Sequence, residues 1–237
     1  MRPLSAQELL DAWERGLGEP PVRRALILLA AACPEAAFED LARESVGRRD
    51  ARLLTLREWT FGPRLVSLAS CPLCAERLET AFDVAEIRVD SPEDAAEEPL
   101  TLTVSGTELT FRLPNSADLL ALSAAESMDG ARRRLLDRCL FDAGADDLSE
   151  DELLAVARRM AEADPQGDIE LSLSCPACGH SWLTSFDIAT FFWTEVDAWA
   201  RVLLHEIHLL ASAYGWREAD ILALSPWRRR SYLELIR

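Results

Sequence analysis

The chain has 237 residues, of which 49% are hydrophobic, enough to bury a core as one large domain or two small ones. Its formal net charge of −16 disfavours nucleic acid or anionic lipid as a partner, because such binding depends on Lys and Arg that neutralise phosphates. The N-terminal stretch is polar at helical spacing, and the longest apolar run, residues 25–33, is too short to cross a bilayer, so neither a signal peptide nor a membrane span is expected.

The first sixty residues predict helices. Ser5 is placed to cap the first of them, and Pro20 and Pro21 open the second. Two further segments, 35–46 and 48–62, carry apolar residues three and four positions apart. Residues 1–60 are therefore assigned to an N-terminal helical region.

From Arg64 the apolar residues no longer recur three and four positions apart, as in a helix, but at every second position, as in a strand. Residues 64–71 and 77–89 flank a C-P-x-C turn, which predicts two strands joined by a metal-binding turn. An acidic loop follows at 90–99, and residues 100–114 predict a second hairpin with Ser105-Gly106 at its turn.

The middle of the chain returns to helical patterns. Asn115 or Ser116 is placed to cap the first of them, and Ser149 to cap the last, whose first turn is acidic, as the helix dipole favours. A second acidic loop is predicted at 142–151. Helices are predicted over residues 117–125, 129–141 and 150–164.

The last third repeats the strand, turn, strand pattern around a second C-P-x-C turn and then becomes helical. A long apolar helix is predicted over residues 188–214, ending at Gly215. Two short helices follow at 217–224 and 226–236, the second with Ser225 as its cap and Pro226 in its first turn.

One phrase occurs twice in this sequence, at residues 70–87 and 174–191. Aligned without a gap, the copies share Ser, Cys, Pro, Cys, Thr, Phe, Asp and Ala. A C-P-x-C turn places two thiolates on one side of a chain reversal, and two such turns supply the four tetrahedral ligands of a structural zinc. The predicted ligands of one Zn²⁺ are Cys71, Cys74, Cys175 and Cys178.

This repetition predicts a site built from two equivalent halves, with Phe82 and Phe186 behind the two turns at matching positions. The predicted class is α+β, with a duplicated zinc-ribbon-like β core at 61–190. Its halves are separated by a long insertion, 90–167, and a C-terminal helical region follows at 191–237. A zinc ribbon usually separates its turns by about 15 to 20 residues, whereas 100 residues separate Cys74 from Cys175, so the ends of the insertion must return to the ribbon.

Other uses of the cysteines and histidines have to be weighed. A redox dithiol is an alternative, but thioredoxin-like chemistry requires C-x-x-C at a helix N-terminus, and these turns lie between predicted strands. His180 could replace one of the cysteine ligands. Because four cysteines already supply the four ligands, however, His180 is expected to lie beside the site. Cys33 and Cys139 lie in apolar helical contexts typical of small buried residues.

The sequence contains no recognisable catalytic motif. His205 and His208 in "HEIH" are three residues apart, whereas the zinc-protease motif H-E-x-x-H needs four. No nucleophile elbow, phosphate-binding glycine loop or dinucleotide fingerprint occurs. A non-enzymatic protein is predicted.

Three stretches together carry a resemblance to a known family. They are "RLPNSADLLALSAA", "ARRRLLDRCL" and the segment from "LSLSCPACGHSW" to "SYLEL". They are similar to tail and baseplate accessory proteins of contractile phages and of extracellular contractile injection systems, including hub-assembly chaperones, over about residues 60–237.

This resemblance implies a protein that helps to build or complete a baseplate, with the four cysteines as zinc ligands. It implies baseplate or tail proteins of the same particle as partners. It also implies assembly in the cytoplasm, or export as part of a released particle. A zinc-ribbon protein of transcription or nucleic-acid handling is the alternative, and a thiol oxidoreductase is a third and weaker one.

The C-terminal helices carry the residues predicted to bind a partner. Trp216, Trp227 and Tyr232 lie in a short, Arg-containing helical unit at the chain end, and large aromatic residues with Arg are enriched at protein interfaces. The competing interpretation is that these rings pack the helices onto the rest of the protein.

Overall fold

The computed structural model describes residues 1–89, 99–104, 106–122 and 127–236. Residues 90–98 of the predicted acidic loop, Ser105 of the predicted turn and residues 123–125 of a predicted helix lie outside the described residues. In chain order the elements are α1 Ala6–Gly16, α2 Pro21–Ala32, α3 Phe38–Arg43, α4 Val46–Phe61, β1 Arg64–Ser70, β2 Arg77–Asp83, α5 Val84–Ile87, β3 Leu100–Val104, β4 Thr107–Phe111, α6 Ser116–Leu120, α7 Met128–Cys139, α8 Glu150–Ala163, β5 Glu170–Ser174, β6 Ser181–Ser185, α9 Ile188–Tyr214, α10 Glu218–Leu222 and α11 Pro226–Glu234. The predicted α+β class is confirmed.

The strands form antiparallel pairs and no larger sheet within the described ranges. The pairs are β1 with β2, β3 with β4 and β5 with β6. The first and third of them flank the two C-P-x-C turns, and the second is the hairpin predicted over residues 100–114. All three hairpins are therefore placed where the alternating patterns predict them.

A predicted strand and a predicted helix each end earlier than expected. The strand predicted to run to Val89 ends at Asp83, because Val84 and Ile87 are buried at helical spacing and the backbone N–H of Asp83 donates to the Glu86 carboxylate. The helix predicted to reach Phe141 ends at Cys139. There the chain turns to bridge β4, and the Phe141 N–H donates to the Thr110 carbonyl.

The chain divides into two compact units. Unit 1 comprises Met1–Glu35 and Ala189–Arg237, and unit 2 comprises Ala36–Ile188. The predicted N-terminal helical region is thus shared between the units, with α1 and α2 in unit 1 and α3 and α4 in unit 2. Tertiary contacts, rather than sequence order, decide this grouping.

Unit 1 is helical, and its helices pack closely at identifiable points. Gly16 at the end of α1 lies against the indole of Trp193, where an added Cβ would come within 2.3 Å of the ring. The Trp13 indole N–H donates to Asp197 on α9 at 2.9 Å. Ile221 of α10 forms a buried cluster with Leu203, Ile207 and Leu210 of α9, and Tyr232 and Leu233 of α11 pack against this cluster.

In unit 2 the predicted insertion has a hydrophobic core of its own, which includes the buried Cys139. Its members come from β4, α7, α8 and the segments that follow β4 and α7: Leu109, Phe111, Leu113, Leu136, Cys139, Leu140, Ala145, Leu153, Val156 and Met160. The buried side chain of Gln166 joins the two ends of the insertion, because it accepts from the Val89 N–H at 2.7 Å and donates to the Ile87 carbonyl at 3.2 Å. The ends of the insertion therefore return to the hairpins, as the cysteine spacing requires.

Candidate metal centre

Each C-P-x-C turn is closed by the same two backbone hydrogen bonds. In the first turn the Cys71 N–H donates to the Glu76 carbonyl and the Ala75 N–H to the Cys71 carbonyl, both at 2.9 Å. In the second turn the Cys175 N–H donates to His180 at 2.8 Å, and the Gly179 N–H donates to Cys175 at 2.9 Å. The duplicated sequence has thus produced a duplicated local structure.

The residue after the second cysteine of each turn has left-handed backbone geometry. Gly179 has φ 73° and Ala75 has φ 60°, and Ala75 is the one non-glycine residue with positive φ in the described part of the chain. Such a conformation is easy for glycine and costs an L-residue free energy. The first turn therefore has the same backbone geometry as the second, and Ala75 adopts it at a cost in conformational free energy.

The two turns bring all four predicted ligands together. Their Sγ atoms lie within 4.8 Å of one another. The Sγ atoms of Cys71 and Cys178 are 3.7 Å apart, and those of Cys74 and Cys175 are 3.6 Å apart. Both distances are far longer than the roughly 2.05 Å of a disulfide bond. Each pair consists of one cysteine from each turn.

These distances fit a tetrahedral zinc site. With Zn–S bonds of about 2.3 Å, the sulfurs of a regular ZnS₄ tetrahedron lie about 3.8 Å apart. The donor set, four thiols with nothing harder among them, suits zinc and excludes the hard cations Mg²⁺ and Ca²⁺. Residues and geometry thus fit the predicted metal.

The site is half-enclosed and has an apolar backing. Cys71 and Cys175 are each 2% exposed and contact Leu78 and Trp182, whereas the second cysteine of each turn is exposed. Behind the turns, Phe82 and Phe186 meet edge to face with ring centroids 5.5 Å apart. These two phenylalanines occupy matching positions in the repeat and pack the two hairpins against each other.

His180 lies beside the cluster, outside the group of four ligand atoms. Its ring stacks on Trp182 with centroids 5.9 Å apart and an interplanar angle of 8°. Its backbone carbonyl also closes the second turn. This agrees with the expectation that four cysteines leave His180 next to the site.

The electrostatics of the cluster show why it favours a cation. Burial opposes ionisation of Cys71, but the backbone N–H groups of Cys74 and Leu73 and the neighbouring thiols outweigh it and lower the pKa of Cys71 to about 7. Although the Glu76 N–H favours its thiolate, Cys74 has its pKa raised to about 12 by the surrounding thiols and burial. The Cys71 thiolate thus forms readily while ionisation of Cys74 is opposed, and a divalent cation bound among the sulfurs would favour the thiolate form of Cys74.

The structure places the predicted partner-binding residues in different environments. Trp216 and Tyr232 are partly buried against the unit 1 core and meet edge to face at 4.9 Å between centroids. Tyr214 stacks on Trp216 at 4.7 Å. Trp227 is 75% exposed on α11. The role of all three in binding stays a prediction, and of the three only Trp227 exposes most of its surface.

Several structural residues carry no motif in the sequence. Arg49, Asp50 and Asp118 are buried ionic groups, and Asp118 accepts from both Arg112 and Arg138. The pKa of Asp118 is lowered because, against the cost of burial, these arginines and the Asn115 N–H hold its carboxylate. The only sequence signal for this group is the N-x-x-D capping pattern at Asn115.

No helix in the described ranges combines the length and apolarity that a bilayer span requires. The long α9 fails this test because charged residues interrupt it, among them Glu195, Asp197 and Arg201.

Comparison with known families identifies the class of protein. A family model described as T4 bacteriophage base plate protein matches residues 22–193. The match covers well over half of the chain, so the chain belongs to this phage baseplate family. The matched range includes both C-P-x-C turns and most of the N-terminal helices, which lie outside the residues 60–237 that carry the resemblance described above. It ends within α9, before α10 and α11. Searches of curated proteins and of solved structures give no match.

Proposed function

We propose that the chain is a non-enzymatic structural or assembly protein of a baseplate, in a contractile phage tail or a related injection system, and that one zinc ion stabilises it. Family membership supports the structural or assembly role. The convergence of Cys71, Cys74, Cys175 and Cys178 within 4.8 Å is the observation that carries the zinc. The hub-assembly-chaperone resemblance leads us to propose that the protein helps to complete the particle in the cytoplasm.

The zinc site holds the duplicated hairpins together as a zinc-ribbon-like core. It joins two turns separated by 100 residues, so the ion closes a loop that contains the whole insertion. Metal binding of this kind contributes folding free energy, because the unfolded chain has no preformed site. The proposed role of the ion is therefore to fix the fold that presents the partner surfaces.

Metal analysis tests the zinc. Protein purified without chelators should contain one equivalent of zinc per chain. A folded protein that contains no metal under these conditions would exclude the proposal. If zinc is present but the protein binds DNA in a salt-dependent manner, the nucleic-acid alternative is favoured instead. Disulfide reductase activity that depends on Cys71 or Cys175 would favour the oxidoreductase.

We further propose that the C-terminal helices dock on baseplate or tail proteins, with Trp227 as the exposed anchor and Trp216 and Tyr232 holding the helices in place. Its 75% exposure supports this role for Trp227, since an exposed Trp flanked by Arg is typical of an interface anchor. Co-purification of tagged protein with baseplate components, compared between wild type and Trp227→Ala, tests it. Equal recovery from both proteins would exclude Trp227 as the anchor.

A further inference from the structure

The outer edge of β1 carries main-chain groups without a hydrogen-bond partner among the described residues. Just beyond one end of the β1–β2 ladder, the Val84 N–H donates to the Pro63 carbonyl at 2.9 Å. Beyond the other end, the Cys71 N–H donates to the Glu76 carbonyl at 2.9 Å. Bonded pairs alternate along an antiparallel ladder, so the odd-numbered residues of β1 bond to β2 and the even-numbered ones direct their N–H and C=O groups outwards. We call these outward-directed residues the β1 edge: Arg64, Val66, Leu68 and Ser70.

Apolar side chains occupy the centre of the β1 edge. Val66 is 49% exposed and Leu68 is 64% exposed. The repeat supplies a comparison, because the matching positions in β5 are Glu170 and Ser172. Charged residues on an edge strand usually protect it from pairing with another chain. β5 has such a residue among its outward positions and the centre of the β1 edge has none, so the β1 edge is suited to pair with another strand.

The face that these side chains share with β2 also carries charged groups. In the β1–β2 register Ala81 lies opposite Val66 and Glu79 lies opposite Leu68, so these four side chains share one face. Arg64 lies on the same face. Arg64 and Glu79 are both exposed, and neither forms an ion pair with another described residue. The face therefore has an apolar centre with a cation and an anion available beside it.

We propose that β1 of one copy pairs antiparallel with β1 of a second copy, about a two-fold axis at Val66, and so forms a four-stranded sheet in the order β2, β1, β1, β2. Val66 then lies opposite Val66 of the second copy, and Arg64 lies opposite its Leu68. Each of the residue pairs exchanges two main-chain hydrogen bonds, which use the unpaired groups of the β1 edge. The central row of the sheet reads Ala81, Val66, Val66, Ala81 and is apolar throughout. A hairpin alone is marginally stable in water, whereas a sheet of three or more strands with an apolar face is stable.

Charge complementarity selects β1 of a second copy as the occupant and fixes the register. In the two rows beside the centre, each Leu68 lies between Glu79 of its own copy and Arg64 of the other copy. Arg64 can cover Leu68 with its apolar stem and bring its guanidinium towards the Glu79 carboxylate. A register in which Arg64 lies opposite Ser70 would instead place Arg64 and Arg77 of different copies on either side of that serine, as like charges.

The contact is small and closed. It is built on one seven-residue strand from each copy, which lies at the small, weak end of protein interfaces. The net charge of −16 on each copy opposes association. Salt at about 150 mM limits this repulsion, because the screening length is then about 8 Å. A two-fold contact uses the same surface on both copies, so association stops at the dimer.

Analytical ultracentrifugation of the full chain as purified, over about 1 to 300 µM in about 150 mM salt, tests the pairing. The weight-average mass should rise from 26.4 kDa towards twice that value and no further. The double variant Val66→Glu/Leu68→Ser gives the β1 edge the residues that β5 carries at the matching positions. It should keep its melting temperature and associate at least about tenfold more weakly, because two carboxylates would meet at the two-fold axis. A wild-type chain that stays monomeric, or a variant that associates as the wild type does, would overturn the inference.

The variant Leu183→Glu is the matched control. Leu183 lies on β6 of the second hairpin and is 62% exposed, so this change removes a similar apolar surface and adds a carboxylate away from the β1 edge. It should leave association unchanged. Equal loss of association in this control and in the β1 variant would overturn the assignment to β1.

Amide hydrogen exchange measured by NMR distinguishes strand pairing from contact between side chains alone. At about 300 µM the amide at position 68 should exchange at least about tenfold more slowly in the wild type than in Val66→Glu/Leu68→Ser, since a paired N–H is protected from exchange. Equal protection of this amide in the two proteins would overturn the strand pairing.

A complementation experiment tests the register. Arg64→Glu and Glu79→Arg should each weaken association, because each places like charges on either side of Leu68. Their mixture should form a one-to-one dimer, in which both charge pairs are again opposite in sign. Circular dichroism of the separate variants checks that they are folded. A mixture of folded variants that stays monomeric would overturn the register.

This inference goes beyond the proposed function and fails separately from it. If the chain is monomeric but contains zinc and co-purifies with baseplate components, only the strand pairing is wrong. If the chain dimerises through β1 but Trp227→Ala co-purifies as the wild type does, the strand pairing holds and the docking role of α11 is wrong.

Discussion

Backbone strain at a single residue can be tested by using the duplication as its own control. Ala75 and Gly179 occupy the same place in the two C-P-x-C turns, with φ 60° and 73°. A Cβ on Gly179 would meet no heavy atom within 4 Å, so only the backbone conformation opposes a side chain there. Gly179→Ala should therefore lower the free energy of unfolding by about 1 kcal/mol.

The reverse change at the matching position should have the opposite sign. Ala75→Gly removes the left-handed penalty but gives the unfolded chain more freedom, so a gain of up to about 1 kcal/mol is expected. Urea unfolding of both variants with saturating zinc measures the pair. Equal destabilisation by both changes would contradict the conformational explanation.

Asp50 is the buried group from which we expect a distinct pH dependence. Burial raises its pKa to about 6 even though Arg49 donates to it at 2.7 Å, and Asp187 and Asp164 add repulsion. The folded-state pKa thus exceeds the unfolded value of about 3.9. As pH falls, the native state binds a proton at Asp50 before the unfolded state does. The free energy of unfolding therefore rises as pH falls from about 7 to 5, and this gain is lost as pH rises through 6.

The variant Asp50→Asn isolates this contribution. Relative to the variant, the wild-type free energy of unfolding should rise by about 1 kcal/mol between pH 7 and pH 5. Ligand protonation at the zinc site affects both proteins and cancels in the comparison. A pH-independent difference, or a carboxyl titration by NMR near pH 4, would contradict the expectation.

At the scale of elements, the two faces of α11 should respond differently to mutation. Arg229 is buried and bonded to Glu206 and Leu224, so Arg229→Ala leaves the partly buried Glu206 carboxylate and the Leu224 carbonyl without this partner and should cost about 1 to 3 kcal/mol. Trp227→Ala on the exposed face should change stability by less than about 0.5 kcal/mol. Thermal unfolding of the two variants measures the contrast.

This contrast also decides how the docking role of α11 is tested. Deletion of residues 225–237 would remove the Arg229 contacts and the packing of Tyr232 together with the exposed face. Loss of assembly by such a truncation would not separate docking from folding. If Trp227→Ala proves as destabilising as Arg229→Ala, the indole belongs to the core of unit 1.

At the scale of the whole molecule, the four-cysteine cluster, which we propose binds zinc, connects segments distant in sequence. Cys175→Ser should lose the metal and lower the melting temperature by roughly 10 °C, since opening a loop of 100 residues costs about 4 kcal/mol in chain entropy. The remaining thiols of the site should then react with a thiol reagent.

His180→Ala is the matched control, because it changes the same turn without removing a ligand sulfur. It should keep one equivalent of zinc and most of the stability. Loss of zinc in His180→Ala, with zinc retained in Cys175→Ser, would show that the ligand set is wrong.

The sequence by itself determined the local structure and the residues of the four-cysteine cluster. Capping residues such as Ser5 and Ser225, and the switch from helical to alternating period at Arg64, act over a few residues and identify most elements. The repeated C-P-x-C turn predicts the four cysteines that the structure brings together, because tetrahedral thiolate binding requires that residue type and spacing. Residues whose role depends on neighbours close in sequence were therefore predictable.

Only the tertiary structure decided how these elements are grouped and which polar residues are buried. The pairing of α1 and α2 with the C-terminal helices, the joining of the insertion ends by Gln166 and the burial of Arg229 beneath an exposed Trp227 all depend on contacts between residues far apart in sequence. Hydrophobic period shows that a helix has a buried face, but it does not show against which helix that face is buried. The physical reason is that local propensity acts along the chain, whereas burial is a property of the packed whole.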